Sequence, residues 1–269
     1  MKVKTRGKFQ GKRLQSAYLL SELVSRDLRS RYVGSAFGAA WAFFVPLAWV
    51  LIYSFVFSVV LKIPLTGEPP GVNFPEYLLA GFLPWLAIQE GISRSATCLA
   101  DNAAMVKKTV FLKESLVATV VLSAVFNEMI GFALYGGYLA WRGHLSPAWI
   151  PVVAALVLVQ VVMTYGIGCF LAGLNVFLRD TSQVVGLGLG MLSFLTPIFY
   201  SAAMVPPRLR WVVEINPFAH LIEAFRDAFF RHRLPSAGSL AYLAVFAISA
   251  AILGSLLFTK TEPHFADLL

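Results

Sequence analysis

The sequence predicts an all-α integral membrane protein with six transmembrane helices. An N-terminal amphipathic helix lies in the interface, and further helices re-enter the membrane between spans five and six. Three observations carry this. Only 13% of the 269 residues are charged, about half of the roughly 25% usual for a soluble domain. Hydrophobic residues make up 58%, and the mean hydropathy is +0.73. Four runs, 32–61, 143–178, 181–207 and 234–259, contain no Asp, Glu, Lys or Arg, and each exceeds the roughly 20 apolar residues that cross a hydrocarbon core of about 30 Å.

Residues 1–15 are basic and polar, with six Lys or Arg among the first 13. No short apolar region with a small-residue cleavage site follows, so this segment is expected to be retained. In 16–32, Leu20, Leu23, Val24 and Leu28 recur at helical spacing, while Glu22, Ser25, Arg26 and Arg29 fall largely on the other side. A basic amphipathic helix before a long apolar run reads as interfacial, a solvated helix being the plainer alternative. Span one is expected at 37–61, with Pro46 as a kink. A turn-rich loop, 62–75, leads to span two at 76–99, where Glu90 and Arg94 share a helix face and can neutralise each other. A polar connection, 101–114, precedes span three at 115–141. Span four is expected at 148–177, span five at 182–200 and span six at 239–258, with a polar tail at 259–269. The segment 201–235, with Pro206, Pro207, Pro217 and five Arg, is neither a clean span nor a clean loop.

Lys and Arg set the orientation. With the N-terminus inside, fifteen fall on the cytoplasmic side and seven on the other, and six spans leave both termini in the cytoplasm. Five of those seven lie in 201–235, so this segment is expected to fold back into the membrane with a structural or gating role.

Chemistry-bearing motifs are sparse. No G-x-x-x-x-G-K-[ST] loop occurs, so the chain is not expected to be its own ATP-driven motor. The run Gly186-Leu187-Gly188-Leu189-Gly190 lacks strand–turn–helix context and reads as close helix packing. Cys98 and Cys169 read as buried packing residues. The four His lack ligand spacing, so no metal site is expected, nor is a nucleic-acid partner or a catalytic residue. Glu128, deep in span three, reads equally as a translocation-path or proton-relay group and as a carboxylate bonded to a neighbouring helix. Trp41, Trp49, Tyr53, Phe57, Trp85, Phe194, Phe199 and Tyr200 suit an interfacial belt, or sliding contacts with the apolar faces of sugar rings.

Several motifs carry a family resemblance. The segment Arg26-Asp27-Leu28-Arg29-Ser30-Arg31-Tyr32, followed by Ser35, Gly38, Trp41 and Pro46, resembles the entry of ABC-2 type permeases that export polysaccharides. Gly81-Phe82-Leu83-Pro84-Trp85, the loop from Asn102 to Leu112, Asn175-Val176-Phe177-Leu178-Arg179-Asp180, Thr196-Pro197-Ile198-Phe199-Tyr200 and Asn216-Pro217-Phe218 also fit. The tail from Glu262 to Leu269 is similar to the ending of O-antigen exporters of this group. The likeness spans nearly the whole chain, in order.

The resemblance implies one transmembrane domain over 1–269, in a homodimer with two copies of a separate ATPase that binds ATP and Mg. This chain itself would bind no cofactor. The cargo would be an undecaprenyl-diphosphate-linked polysaccharide, O-antigen foremost, crossing the bacterial inner membrane between the two permeases. Arg26, Asp27, Asn102, Lys107 and Lys108 would couple to the ATPase. Arg26, Arg29 and Arg31 lie where a lipid diphosphate would approach, with positive-inside anchoring as the alternative. Tyr53, Phe57, Trp85, Phe194, Phe199 and Tyr200 would line the glycan channel. Pro206, Pro207, Asn216 and Pro217 would belong to an outer gate. A permease for a drug or other small hydrophobic compound is a second reading. A membrane enzyme acting on polyprenyl phosphates is a third, but it should show clustered Asp, His or Arg near one interface.

Overall fold

The computed structural model describes residues 18–31, 37–62, 65, 67–108 and 111–269, leaving aside the side chains of residues 39, 42 and 46. The basic segment 1–15, positions 16 and 17, Tyr32, Ser35 and the Pro46 ring lie outside that description. The described residues are helical, with no strand among them. Helix α1 covers 18–30. It is followed by α2 (Trp41–Ser54), which continues as a π-helix over Phe55–Val60. Then come α3 (Phe74–Asp101), α4 (Ala103–Lys108), α5 (Glu114–Arg142), α6 (Ile150–Phe177) and α7 (Thr181–Leu195). Two short helices, α8 (Arg210–Glu214) and α9 (Pro217–Phe229), precede α10 (Ala237–Thr261) and the closing turn α11 (Phe265–Leu268).

Four stretches among the described residues are long and apolar enough to cross a membrane: Phe43–Val60, Glu114–Arg142, Pro147–Phe177 and Ala237–Leu268. They correspond to expected spans one, three, four and six. The helix at span two, α3, has 28 residues and so is about 42 Å long, but Glu76, Gln89, Glu90 and Arg94 dilute its apolar character. It sits at the centre, packed against α2, α5, α6, α7 and α9. At span five, α7 has only 15 residues, ending at Leu195 rather than 200. Thr196 is extended (φ −90°, ψ 134°), because a residue before proline is driven out of the helical region.

Local signals account for the helix ends. Asn73 and Glu76 form a reciprocal capping box at the start of α3, satisfying donors that the first turn leaves open. Asn216 caps α9 by accepting from the Phe218 and Ala219 amides, with Pro217 in the first turn. Gly143, at φ +76°, ends α5 in the left-handed conformation.

In lipid the drive to pack helices is contact between close backbones rather than the hydrophobic effect. The α6–α10 crossing displays this. A Cβ on Gly254 would collide with the Gly166 carbonyl, and one on Gly166 with the Ala250–Ala251 peptide. The larger core gathers around α3, α5 and α9, and a smaller cluster, including Cys98, Leu116, Cys169, Phe258 and Phe265, closes one end. Both cysteines are buried and free, as their setting predicts.

Candidate functional site

A cavity of about 700 Å³ opens between α2, α3, α5 and α7. Its aromatic lining includes Trp41, Trp49, Tyr53 and Phe199, and its polar lining Gln89, Glu90, Ser93, Arg94, Asn127 and Glu128. Three of these rings form a run: Trp49 stacks on Tyr53 with centroids 5.4 Å apart, and Tyr53 lies 4.7 Å from Phe199. Phe57 stacks on Phe199 at 5.5 Å, with 9° between planes. Phe57 sits on the π-helical turn, a local widening that recurs at functional positions.

The predicted lining is only partly brought together. Tyr53, Trp85 and Phe199 border the cavity, whereas Phe57 and Phe194 touch Phe199 from beside it. Tyr200 donates its hydroxyl to the Phe194 carbonyl at 2.9 Å. Trp85 is 1% exposed and packs edge-on against Phe218 at 5.8 Å, so it is mainly a core residue. Trp41 and Trp49 have stronger claims to the lining, being over 40% exposed. Their position in the same aromatic run as Tyr53 was the available signal. Glu128 borders the cavity, and its carboxylate accepts from Gln160 of α6 at 2.6 Å, the bond to a neighbouring helix that was one of its two readings.

At one end of the cavity, four charged side chains lock α1 to α3. Arg94 donates to both Asp27 oxygens, at 2.5 and 3.2 Å, and to Glu90 at 3.1 Å. Arg31 pairs with Asp27 at 3.1 Å and with Glu90 at 2.5 Å. Each segment offers an acid four residues before an Arg, and cross-pairing of Asp27 with Arg94 and of Arg31 with Glu90 joins the two local pairs into one alternating square. Burial works to raise the Asp27 pKa, but the hydrogen bonds and charge of Arg94, with the charge of Arg31, outweigh it and hold the carboxyl below its ordinary value. Glu90 and Arg94 therefore do neutralise each other, but within a larger set. Asp27 and Arg31 face α3, whereas Arg26, Arg29, Lys107 and Lys108 are exposed. Asn102 donates to the Cys98 carbonyl at 2.9 Å, finishing α3 and turning the chain into α4.

At the other end, two motifs that are far apart in sequence converge on Arg226 of α9. Its fully buried guanidinium donates to the carbonyls of Pro197 (2.6 Å) and Ile198 (2.9 Å) and to Glu223 (2.6 Å), and lies 3.5 Å over the Tyr77 ring. A Cβ at position 81 would stand 2.9 Å from this guanidinium, so glycine there admits the arginine. Asn216 donates to the Thr196 hydroxyl at 2.9 Å, and Tyr77 to the Tyr200 carbonyl at 2.7 Å. Arg231 bonds Glu68, Glu223 and Asp227, and Arg233 bonds Asp227. Two of the five arginines in 201–235, Arg226 and Arg231, are thus largely buried in ion pairs, which is why counting them as loop charges misfits. Pro206 and Pro207 are exposed beside α8, together with Leu209, Trp211 and Ile215. No group of three or more potential metal-ligating side chains occurs among the described residues.

The sequence resembles known proteins over most of its length. The family profile described as "ABC-2 type transporter" matches residues 18–230. The "O-antigen export system permease protein RfbA" of Klebsiella pneumoniae is 30% identical over 266 residues, covering 93% of this chain and 95% of that protein. An RfbA of Myxococcus xanthus is 28% identical over 258 residues, covering 93% and 94%. The "Polysialic acid transport protein KpsM" of Escherichia coli is 22% identical over 247 residues, covering 89% and 92%.

Proposed function

This chain belongs to the ABC-2 type transporter family, and we propose that it is the non-catalytic permease of an ATP-driven polysaccharide exporter whose ATPase is a separate subunit. In the finer reading, six spans cross the bacterial inner membrane with both termini cytoplasmic. Expected spans two and five are α3 and α7, which neighbouring helices help to cover. Two copies pair, two ATPases dock beneath them, and the cargo is a glycan on undecaprenyl diphosphate, O-antigen before capsule or teichoic acid.

One observation carries this reading: a single cavity is lined both by the aromatic side chains Trp41, Trp49, Tyr53 and Phe199 and by the polar side chains Gln89, Ser93, Asn127 and Glu128. A sugar ring has apolar C–H faces and a hydroxyl edge, so such a passage offers both kinds of contact without one tight site. The relatives named for O-antigen and polysialic acid support the same substrate class. The exposed apolar faces of α2 and α7, with Leu51, Phe55, Leu187 and Met191, suit lipid and a second copy. The exposed Arg26 and Arg29 remain open to a lipid diphosphate, and α8 and α9 would form the outer gate.

The test is genetic and biochemical together. The purified chain should bring down an ATPase bearing Walker motifs, and deletion of its gene should remove a surface glycan. Recovery without any ATPase, from cells whose glycan is unchanged on deletion, would overturn the exporter reading.

A further inference from the structure

The helix α4 is too short to hold itself. It has six residues, and Val106 is its single buried side chain, whereas isolated helices shorter than about 12–15 residues are marginal in water. What fixes it is the segment 262–269, more than 150 positions away in sequence. Phe265, at the start of α11, is fully buried in the cluster that holds Val106, Leu116 and Cys169, and meets Phe258 edge-on at 5.1 Å. The turn α11 packs directly on α4. Lys113, just beyond α4, closes the contact. Its ammonium donates to the Glu262 carbonyl at 3.3 Å, lies 3.8 Å from the Glu262 carboxylate, and sits 5.8 Å from the Phe265 ring centre. A half-buried ammonium held by a carboxylate, a carbonyl and a ring face prefers one geometry. The neighbouring residue, Glu114, takes bonds from Thr259 (3.3 Å) and Tyr165 (3.2 Å), fastening the start of α5 to α10 and α6.

We propose that Lys113, Glu262 and Phe265 form a clamp that positions α4, and with it the exposed Lys107 and Lys108, to receive the ATPase. The three are positioning residues, acting through α4. This rests on the exporter reading above, since α4 needs a motor to receive. A mobile α4 would have to be ordered at each encounter with the ATPase, and the clamp removes that cost beforehand.

The experiment measures ATPase binding to the full-length permease in nanodiscs, and ATP hydrolysis by the complex. Phe265→Ala and Lys113→Ala are each expected to weaken binding about tenfold, the scale of one desolvated cation–π or charged contact. The permease should remain monodisperse on size exclusion. Lys113→Glu should do the same, and adding Glu262→Lys should restore binding to within about threefold, a rescue that loss of core packing would not give. Phe265→Ala and Lys113→Ala proteins that bind the ATPase like wild type would overturn the clamp. So would a folded Lys113→Glu/Glu262→Lys protein that binds no better than Lys113→Glu alone; this reversal decides the matter if Phe265→Ala fails to fold. Failure of the wild-type chain to bind any ATPase would instead remove the exporter reading, and the clamp with it.

Discussion

Arg94 of α3 donates to both carboxylate oxygens of Asp27 on α1, at 2.5 and 3.2 Å. Sixty-seven positions separate the two residues, and the paired bonds fix the angle as well as the distance between the helices. The two helices are therefore joined by a directional, paired contact rather than by a flexible joint.

Reversing either charge should uncouple the two helices. Asp27→Arg or Arg94→Asp is expected to lower glycan export at least about tenfold, since each leaves a partly buried charge facing its like. The double reversal should recover much of the loss. Surface glycan quantified across the four strains checks this.

The same pair predicts behaviour with pH. The folded Asp27 pKa is depressed, so its contribution is complete above the ordinary Asp value of about 3.9 and is lost only as pH falls through the lower folded value. A spin or fluorescent label on exposed Arg29→Cys should report α1 docked from pH 7 to about 4, and released only below that. Asp27→Asn should release the label across the whole range.

Gly254→Val should separate α10 from α6. The added side chain meets the Gly166 backbone, which has no rotamer with which to yield, so a cost of about 3 kcal/mol, or loss of assembly, is expected. Gly186→Ala, where a Cβ meets nothing within 4 Å, should leave thermal unfolding in detergent unchanged.

Arg226→Lys should not rescue what Arg226→Met loses. An ammonium cannot reproduce the planar fork that reaches Pro197, Ile198 and Glu223 while covering Tyr77. Removing the fork leaves Glu223 with Arg231 as its remaining cation and frees two buried carbonyls, a loss of roughly 3–5 kcal/mol. Protease sensitivity of the 201–235 segment in intact membranes is the readout.

Aromatic substitutions should divide by burial. Trp49→Ala and Tyr53→Ala are expected to slow export several-fold with assembly intact, because they remove exposed or half-buried faces of the cavity wall. Trp85→Ala should reduce stability by about 3–5 kcal/mol, since its ring is wedged against Phe218. Parallel export and unfolding measurements separate the two classes.

Much of the fold is written in local pattern. Three of the four charge-free runs coincide with stretches long enough to cross a membrane, the Leu23 face of α1 was visible in its spacing, and Asn73, Asn216 and Gly143 announce helix ends through short-range chemistry. The missing nucleotide loop put the motor in another subunit, and motifs in register gave the family. None of this requires knowing which helices touch.

Where the helices touch decided the rest. Asp27 and Arg31 could be read as surface charges, and Glu90 with Arg94 as a closed pair, until α1 and α3 were brought side by side. Arg226 counted as one more misplaced loop charge until Gly81, Pro197 and Ile198 were seen around it. Trp85, at the edge of the cavity, proved to be almost wholly buried against Phe218, and Glu128 acquired Gln160. Sequence spacing determines which face of a helix is apolar, because that depends on a 3.6-residue period; which polar group completes another across 30 to 160 positions depends on the crossing of helices, and that is fixed by close contacts such as Gly166 on Gly254, which exist only once the chain has folded.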